Sequence, residues 1–350
     1  MDTTNPFFID ETPATPLQMY EPLRITAEMD IAQPIPVITI NGEMISTEGN
    51  ITSVSGASKS GKSAFTAWII AGAINADGDI NDPLEGLKIQ PNDKKKAVVH
   101  FDTEQARHKH QRNIKSILRR ANFKATPDYY LSYNIRQLDI SEYSQTTSNI
   151  CELAFRQFKG IHLIIIDGIA DYIKDVNDGS TSNEVIKFFE GIAIKYATPV
   201  IVIIHTNPNG DKERGNLGSQ LQRKSESVLT IKQDGDISYL EPKFLREAGK
   251  GDVKLLQFTY DKCKGYHIGC GAKIDSKSNK DAERIVMIQK MAKAVFAPPN
   301  SFAYKDAIER IMKESNKKDA IAKGLFKDMK AHQMIIQGDD KNWRLNIEVV

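Results

Sequence analysis

One eight-residue loop constrains this chain more than any other feature. Residues 50–55, Asn-Ile-Thr-Ser-Val-Ser, read as a short strand, and residues 64–75 as an apolar, Ala-rich helix. Between them stands Gly56-Ala57-Ser58-Lys59-Ser60-Gly61-Lys62-Ser63, a full match to G-x-x-x-x-G-K-[ST] in the strand-to-helix context that gives the pattern its meaning. The glycines let the backbone turn tightly, so that successive N–H groups face one anion. The N-terminus of the following helix adds partial positive charge. Lys62 is placed to reach the β- and γ-phosphates of ATP, and the Ser63 hydroxyl to meet Mg2+. Gly56 through Ser63, with Ala64 at the head of the helix, are therefore the expected Mg·ATP-binding residues.

The neighbouring segments predict an α/β fold. Residues 97–102, 161–166 and 199–204 are nearly unbroken apolar strands, and residues 129–133 form a further one. Helical patterns occupy residues 105–121, 147–158 and 184–196. Continuous apolar strands alternating with helices predict a parallel sheet covered on both faces. Residues 37–45 read as a hairpin with an Asn41-Gly42 turn. Shorter strands at 227–232, 237–240 and 254–260 predict an antiparallel extension of the sheet.

Ligands bind such sheets at the C-terminal ends of the strands, and three polar residues stand there. Asp167 ends an apolar strand about a hundred residues after the loop, where an acid orients Mg2+. Glu104 follows the strand after the first helix, where a carboxylate can polarise the water that attacks the γ-phosphate. His205 ends the next apolar strand and is placed to sense the γ-phosphate. His162, inside its strand, reads as structural.

Composition adds limits. The formal charge is +2, which neither demands nor excludes nucleic acid. From Asp281 onward there are 13 Lys and Arg against 10 Asp and Glu, so the C-terminal piece is the more basic. Cys151, Cys263 and Cys270 form no C-x-x-C pair, which points to reduced thiols and a cytoplasmic location. No apolar run reaches the ~18–20 residues of a membrane span. Residues 1–35 are Pro-rich and without period, the pattern of a flexible arm. They lack the basic start and apolar core of a signal peptide. Residues 276–280 read as a linker. Residues 281–350 give three helices and a hairpin, the order of a winged helix.

The ordered set carries a family resemblance. The phosphate loop, then F-D-T-E-Q, I-I-I-D, I-I-H-T-N and G-N-L-G-S-Q-L-Q-R-K, resembles the RecA/DnaB superfamily over roughly residues 35–270. It is most similar to the RepA-type branch, hexameric replicative helicases and related ATPases of plasmids and mobile elements. That resemblance implies a RecA-like core over residues 36–275, a homo-oligomer acting on single-stranded DNA, and a site in which Lys62, Ser63, Glu104, Asp167 and His205 act together. It places Arg223 as an arginine finger. Lys243 and Arg246 fall near the DnaB Lys/Arg pair used in trans, although Lys-x-x-Arg departs from the DnaB spacing Lys-x-Arg.

Three basic segments stay open between two uses. The polar stretch 207–222, with Lys212 and Arg214, suits either nucleic acid or subunit contacts. Arg107, Lys109, Arg112, Lys115, Arg119, Arg120 and Lys124 precede the next acid, Asp128; such a run is a solvated face or a surface for an acidic partner. Lys317, Lys318, Lys323, Lys327 and Lys330 suit salt-sensitive DNA binding, or a dock for other replication or mobilisation proteins. The expected activity is thus ATP hydrolysis coupled to DNA, by a helicase or translocase, or alternatively by a loader or switch that does not unwind.

Overall fold

The computed structural model describes residues 17–207, 210, 212–249, 251–273 and 276–346. The chain divides into two units, Met1–Ile35 and Pro36–Val350. Within the first, Leu17–Leu23 forms a 3-10 helix; residues 1–16 of the expected arm lie outside the described residues.

The second unit opens with β1 (Pro36–Ile40) and β2 (Glu43–Thr47), paired antiparallel across Asn41-Gly42 as the turn chemistry requires. Then follow β3 (Ile51–Gly56), α1 (Lys62–Ile74), β4 (Leu87–Ile89), β5 (Ala97–Asp102), α2 (Arg107–Arg120), β6 (Tyr130–Asn134) and α3 (Ile140–Phe158). Next come β7 (Ile161–Asp167), α4 (Gly179–Tyr196), β8 (Val200–His205), α5 (Gly215–Lys224), β9 (Ser227–Asp234), β10 (Ile237–Leu245), β11 (Leu255–Asp261) and β12 (Tyr266–Lys273). The main sheet has the order β12-β11-β10-β9-β3-β8-β7-β5-β6. From β9 to β6 every pairing is parallel, and β10, β11 and β12 continue antiparallel. The parallel sheet and its antiparallel extension therefore form as the sequence pattern predicts.

Both faces of the sheet are covered, which is why its central strands are apolar throughout. Alternate residues of β7 divide between two cores. Leu163 and Ile165 pack with Phe65, Trp68 and Ile70 of α1. Ile164 and Ile166 pack with Phe189 of α4 and with Leu217 and Leu221 of α5. Removing such a side chain from water contributes roughly 1.5–3 kcal/mol each.

Several boundaries differ from the sequence expectation. α3 begins seven residues before the apolar period does, because Asp139 and Glu142 form a capping box that starts it early. The polar stretch 207–222 is helical from Gly215: Leu217 and Leu221 are four apart and buried, which anchors α5 to the sheet. Residues 276–280, read as a linker, are the first turn of α6 (Ser276–Phe296). α7 (Tyr304–Ser315), α8 (Asp319–Ala331) and a hairpin of β13 (Ile335–Gln337) and β14 (Trp343–Leu345) are the last elements among the described residues. They share a core of their own, including Phe296, Ile311, Leu325, Phe326 and Met329. Among the described residues no helix is long and apolar enough to cross a membrane.

Candidate active site

Strand register brings the candidate residues to one edge of the sheet. Gly56 at the end of β3 stands beside His205 at the end of β8. Asp102 at the end of β5 stands beside Asp167 at the end of β7. One strand, β8, separates the phosphate-loop strand from the strand of Asp167.

The loop is shaped for an anion. A Cβ on Gly56 would lie 2.6 Å from the Ile231 carbonyl and from Ser60 Oγ. Gly61 has φ 105°, a left-handed conformation that favours glycine. No side chain caps the start of α1 at Lys62, which leaves its first N–H groups for a ligand. Ser60 Oγ is buried and has no hydrogen-bond partner among the described residues. Lys62 is 8% exposed, and its Nζ donates to the carbonyls of Gly56 and Ala57, each at 2.8 Å. Burial lowers its pKa, against the pull of Glu104 and Asp167 in the other direction. A phosphate chain would supply the negative charge that this ammonium and these amides face, so the residues fit a nucleoside triphosphate.

Lys62 is joined to the expected base through one residue. Its Nζ lies 3.2 Å from His205 Nδ1, and His205 Nε2 lies 3.1 Å from each carboxylate oxygen of Glu104. The contact with His205 outweighs burial and holds the Glu104 carboxyl below its ordinary value, so it is ionised near neutrality. Ser63 is exposed at the head of α1. Ser63 and Asp167 would hold Mg2+, which supplies positive charge to the phosphate oxygens when bound.

Asp167 is 9% exposed. Burial, with Asp102 and Glu104 nearby, pushes its carboxyl up to about 7. The raised value means that below pH 7 a proton occupies the group a cation needs. We expect the Mg2+ concentration for half-maximal turnover to rise as pH falls from 8 to 6, where about a tenth of such carboxyls are ionised. A titration of Mg2+ at each pH measures this, and a requirement independent of pH would contradict it.

Clefts flank the loop on both sides. One of about 370 Å³ is lined by Ser63, Ala67, Arg112, Asn113, Tyr260 and His267. Its wall is built on Arg120, which is fully buried, 4.0 Å from the Trp68 ring centroid and 4.7 Å from that of Tyr266. Arg120 thus leaves the basic run, while Arg107, Lys109, Arg112, Lys115, Arg119 and Lys124 are exposed. The other cleft, about 380 Å³, runs along Ala57, Ser58, Thr206, Asn207 and Gln233. No motif marked Tyr260, Tyr266 or His267; their role depends on β11 and β12 folding back beside α1.

The remaining cations are placed differently. Arg223 lies on the exposed side of α5. Its simplest partner, Glu226, is buried and accepts from Thr47 N at 2.9 Å and Thr47 Oγ1 at 2.7 Å instead. Arg223 precedes β9, whose start pairs with the start of β3. Ser227, four residues after Arg223, pairs with Thr52 at the start of β3, whereas the phosphate loop follows the end of that strand at Gly56. Arg246 donates from Nη2 to the carbonyls of Arg223 at 3.0 Å and Lys224 at 3.2 Å, capping α5 in its own chain. Lys243 pairs at 3.0 Å with the buried carboxylate of Glu213, which occupies it within its own chain. Glu213 also accepts from Ser55 Oγ at 3.1 Å and from Gln222, so it pins the loop after β8 to the phosphate-loop strand. His162 Nε2 meets the Gln90 carbonyl at 2.9 Å, a structural contact.

A family model described as AAA domain matches residues 20–211, more than half of the chain. The match spans the phosphate loop, Glu104, Asp167 and His205 and ends before Arg223. No curated protein matches the chain.

Proposed function

This chain belongs to the AAA domain family of P-loop ATPases, and from that premise we propose that it hydrolyses Mg·ATP as an oligomer acting on DNA, in the manner of a RepA/DnaB-like helicase or translocase. The observation that carries the reading is the continuous contact from Lys62 through His205 to Glu104. Glu104 lies in the turn just after β5, the strand beside that of Asp167, and in this reading its carboxylate faces the γ-phosphate.

In this mechanism Lys62 exchanges the Gly56 and Ala57 carbonyls for phosphate oxygens. Glu104 accepts a proton from the attacking water, and His205 couples its position to Lys62. The nucleoside lies in the cleft beside Ser63, against Tyr260 and His267. Arg223, remote from the loop of its own chain, serves the loop of a neighbouring subunit, and the assembly is a hexamer. The C-terminal helices and hairpin form a winged-helix-like module with Lys317, Lys318, Lys327 and Lys330 exposed, for DNA or for replication and mobilisation proteins. The protein is cytoplasmic in this reading.

The test is displacement of a labelled strand from a forked duplex. ATP-dependent displacement by the wild-type chain, absent for Lys62→Ala, is the expected result. ATP-dependent retention on DNA with no displacement would replace the helicase with a loader or regulatory switch.

A further inference from the structure

A buried polar network lies beneath the turn that carries Glu104. Asp102 is 1% exposed, and its Oδ1 accepts the N–H groups of Glu104 at 3.0 Å and Gln105 at 2.8 Å. Its Oδ2 lies 3.0 Å from Nδ1 of His110, in the first turn of α2, a close polar contact outside hydrogen-bond alignment, and both atoms are buried with no hydrogen-bond partner among the described residues. His110 is 4% exposed, and its Nε2 lies 2.7 Å from Ser132 Oγ on β6. Ser132 Oγ in turn lies 3.0 Å from Nδ1 of His100 on β5. The two imidazoles stack with centroids 5.3 Å apart. Burial alone would raise the Asp102 carboxyl, but His110 and the Gln105 N–H outweigh it and hold it low. Burial beside His110 lowers His100 to about 4, so that ring is neutral.

Taking a carboxylate and two imidazoles out of water is costly, and apolar side chains would hold β5 against α2 more cheaply. What apolar groups cannot do is fix the two N–H groups on which the Glu104 side chain is hung. We propose that Asp102 and His110 are positioning residues for ATP hydrolysis. Asp102 brackets the backbone of Glu104 and Gln105, and His110 stands against the other carboxylate oxygen and limits where it can turn. The same contact ties α2, which carries Arg112 and Asn113 to the nucleoside cleft, to the turn of the base. The orientation of Glu104 therefore depends on a residue that meets neither water nor nucleotide. This inference rests on Glu104 being the base.

The experiment is steady-state ATP turnover by the full chain. His110→Leu is expected to lower kcat about 10-fold or more with KM for ATP within about two-fold, because misplacement of a reacting group by ~1 Å costs up to ~10²-fold. His110→Asn, whose amide nitrogen takes the place of Nδ1, is expected to restore most of that loss. In a Glu104→Gln background His110→Leu should change the residual rate less than about two-fold, since no carboxylate base is left to aim. Asp102→Asn keeps size and the backbone acceptor, and should repeat the kcat-specific loss should His110→Leu fail to fold. Wild-type kcat in both variants, with Glu104→Gln inactive, would overturn the bracket and leave the base in place. Equal losses with and without Glu104 would also overturn it, by assigning the network to the fold. Undiminished turnover of Glu104→Gln alone would instead remove the base assignment beneath it.

Discussion

Glu104→Gln should bind ATP as the wild type does and turn it over at least ~10²-fold more slowly, the lower range for loss of a general base. The loss corresponds to about 2.7 kcal/mol of transition-state stabilisation. The substitution keeps the size of the side chain and an oxygen facing His205, but removes the charge that draws a proton from water. The contact between His205 and Glu104 favours the ionised carboxylate, so the wild-type group is ready to accept that proton at neutral pH. Nucleotide affinity should survive, because the amides of the phosphate loop and Lys62 are untouched. Equilibrium binding of a fluorescent ATP analogue and steady-state turnover separate the two effects. Turnover near the wild-type rate would move the base elsewhere. Asp171 would be next, since its Oδ2 accepts from Thr103 Oγ1 at 2.7 Å, one residue from Glu104.

Arg223→Ala should lower turnover by about 10³-fold or more, the range for a finger that neutralises charge spreading over the γ-phosphate oxygens. In its own chain Arg223 lies on exposed α5 and away from the phosphate loop, and Glu226 is committed to Thr47. A surface arginine without a role would cost almost nothing on removal. The decisive version mixes subunits. Arg223→Ala and Lys62→Ala chains should each be inactive alone. Mixed and allowed to exchange, some interfaces pair an intact loop with an intact arginine, and part of the activity should return. Full activity of Arg223→Ala by itself would remove it from the mechanism. Failure to complement despite demonstrated exchange would assign its action to its own chain.

What could be read from the sequence depended on whether a residue's task is local. The phosphate loop was legible because its anion site is made by consecutive residues between one strand and one helix. Asp167, Glu104 and His205 were legible because each ends an apolar strand of a parallel sheet, where such sheets hold ligands. Asp102 was passed over: its carboxylate meets His110, eight residues on, only once α2 packs beside β6. Tyr260, Tyr266 and His267 reach the cleft beside Ser63 through pairing of β11 with β12, a contact distant in sequence from the loop. Lys243 looked available for a neighbouring subunit until Glu213, thirty residues away, was found buried against it. α5 was hidden because glycines and polar residues outnumber its two buried leucines. Helix starts set by Asp139 and Asp178 precede the apolar period, so periodicity alone set α3 and α4 too late.

The proposed coupling of ATP hydrolysis to DNA is tested by the turnover itself. ATP turnover by the 350-residue chain should be followed in Mg2+ with and without single-stranded DNA, at a protein concentration where its mass has been measured. Turnover is expected to require Mg2+, to be lost in Lys62→Ala, and to rise with single-stranded DNA in an oligomeric species. A monomer that hydrolyses ATP at the same rate whether or not DNA is present would contradict it.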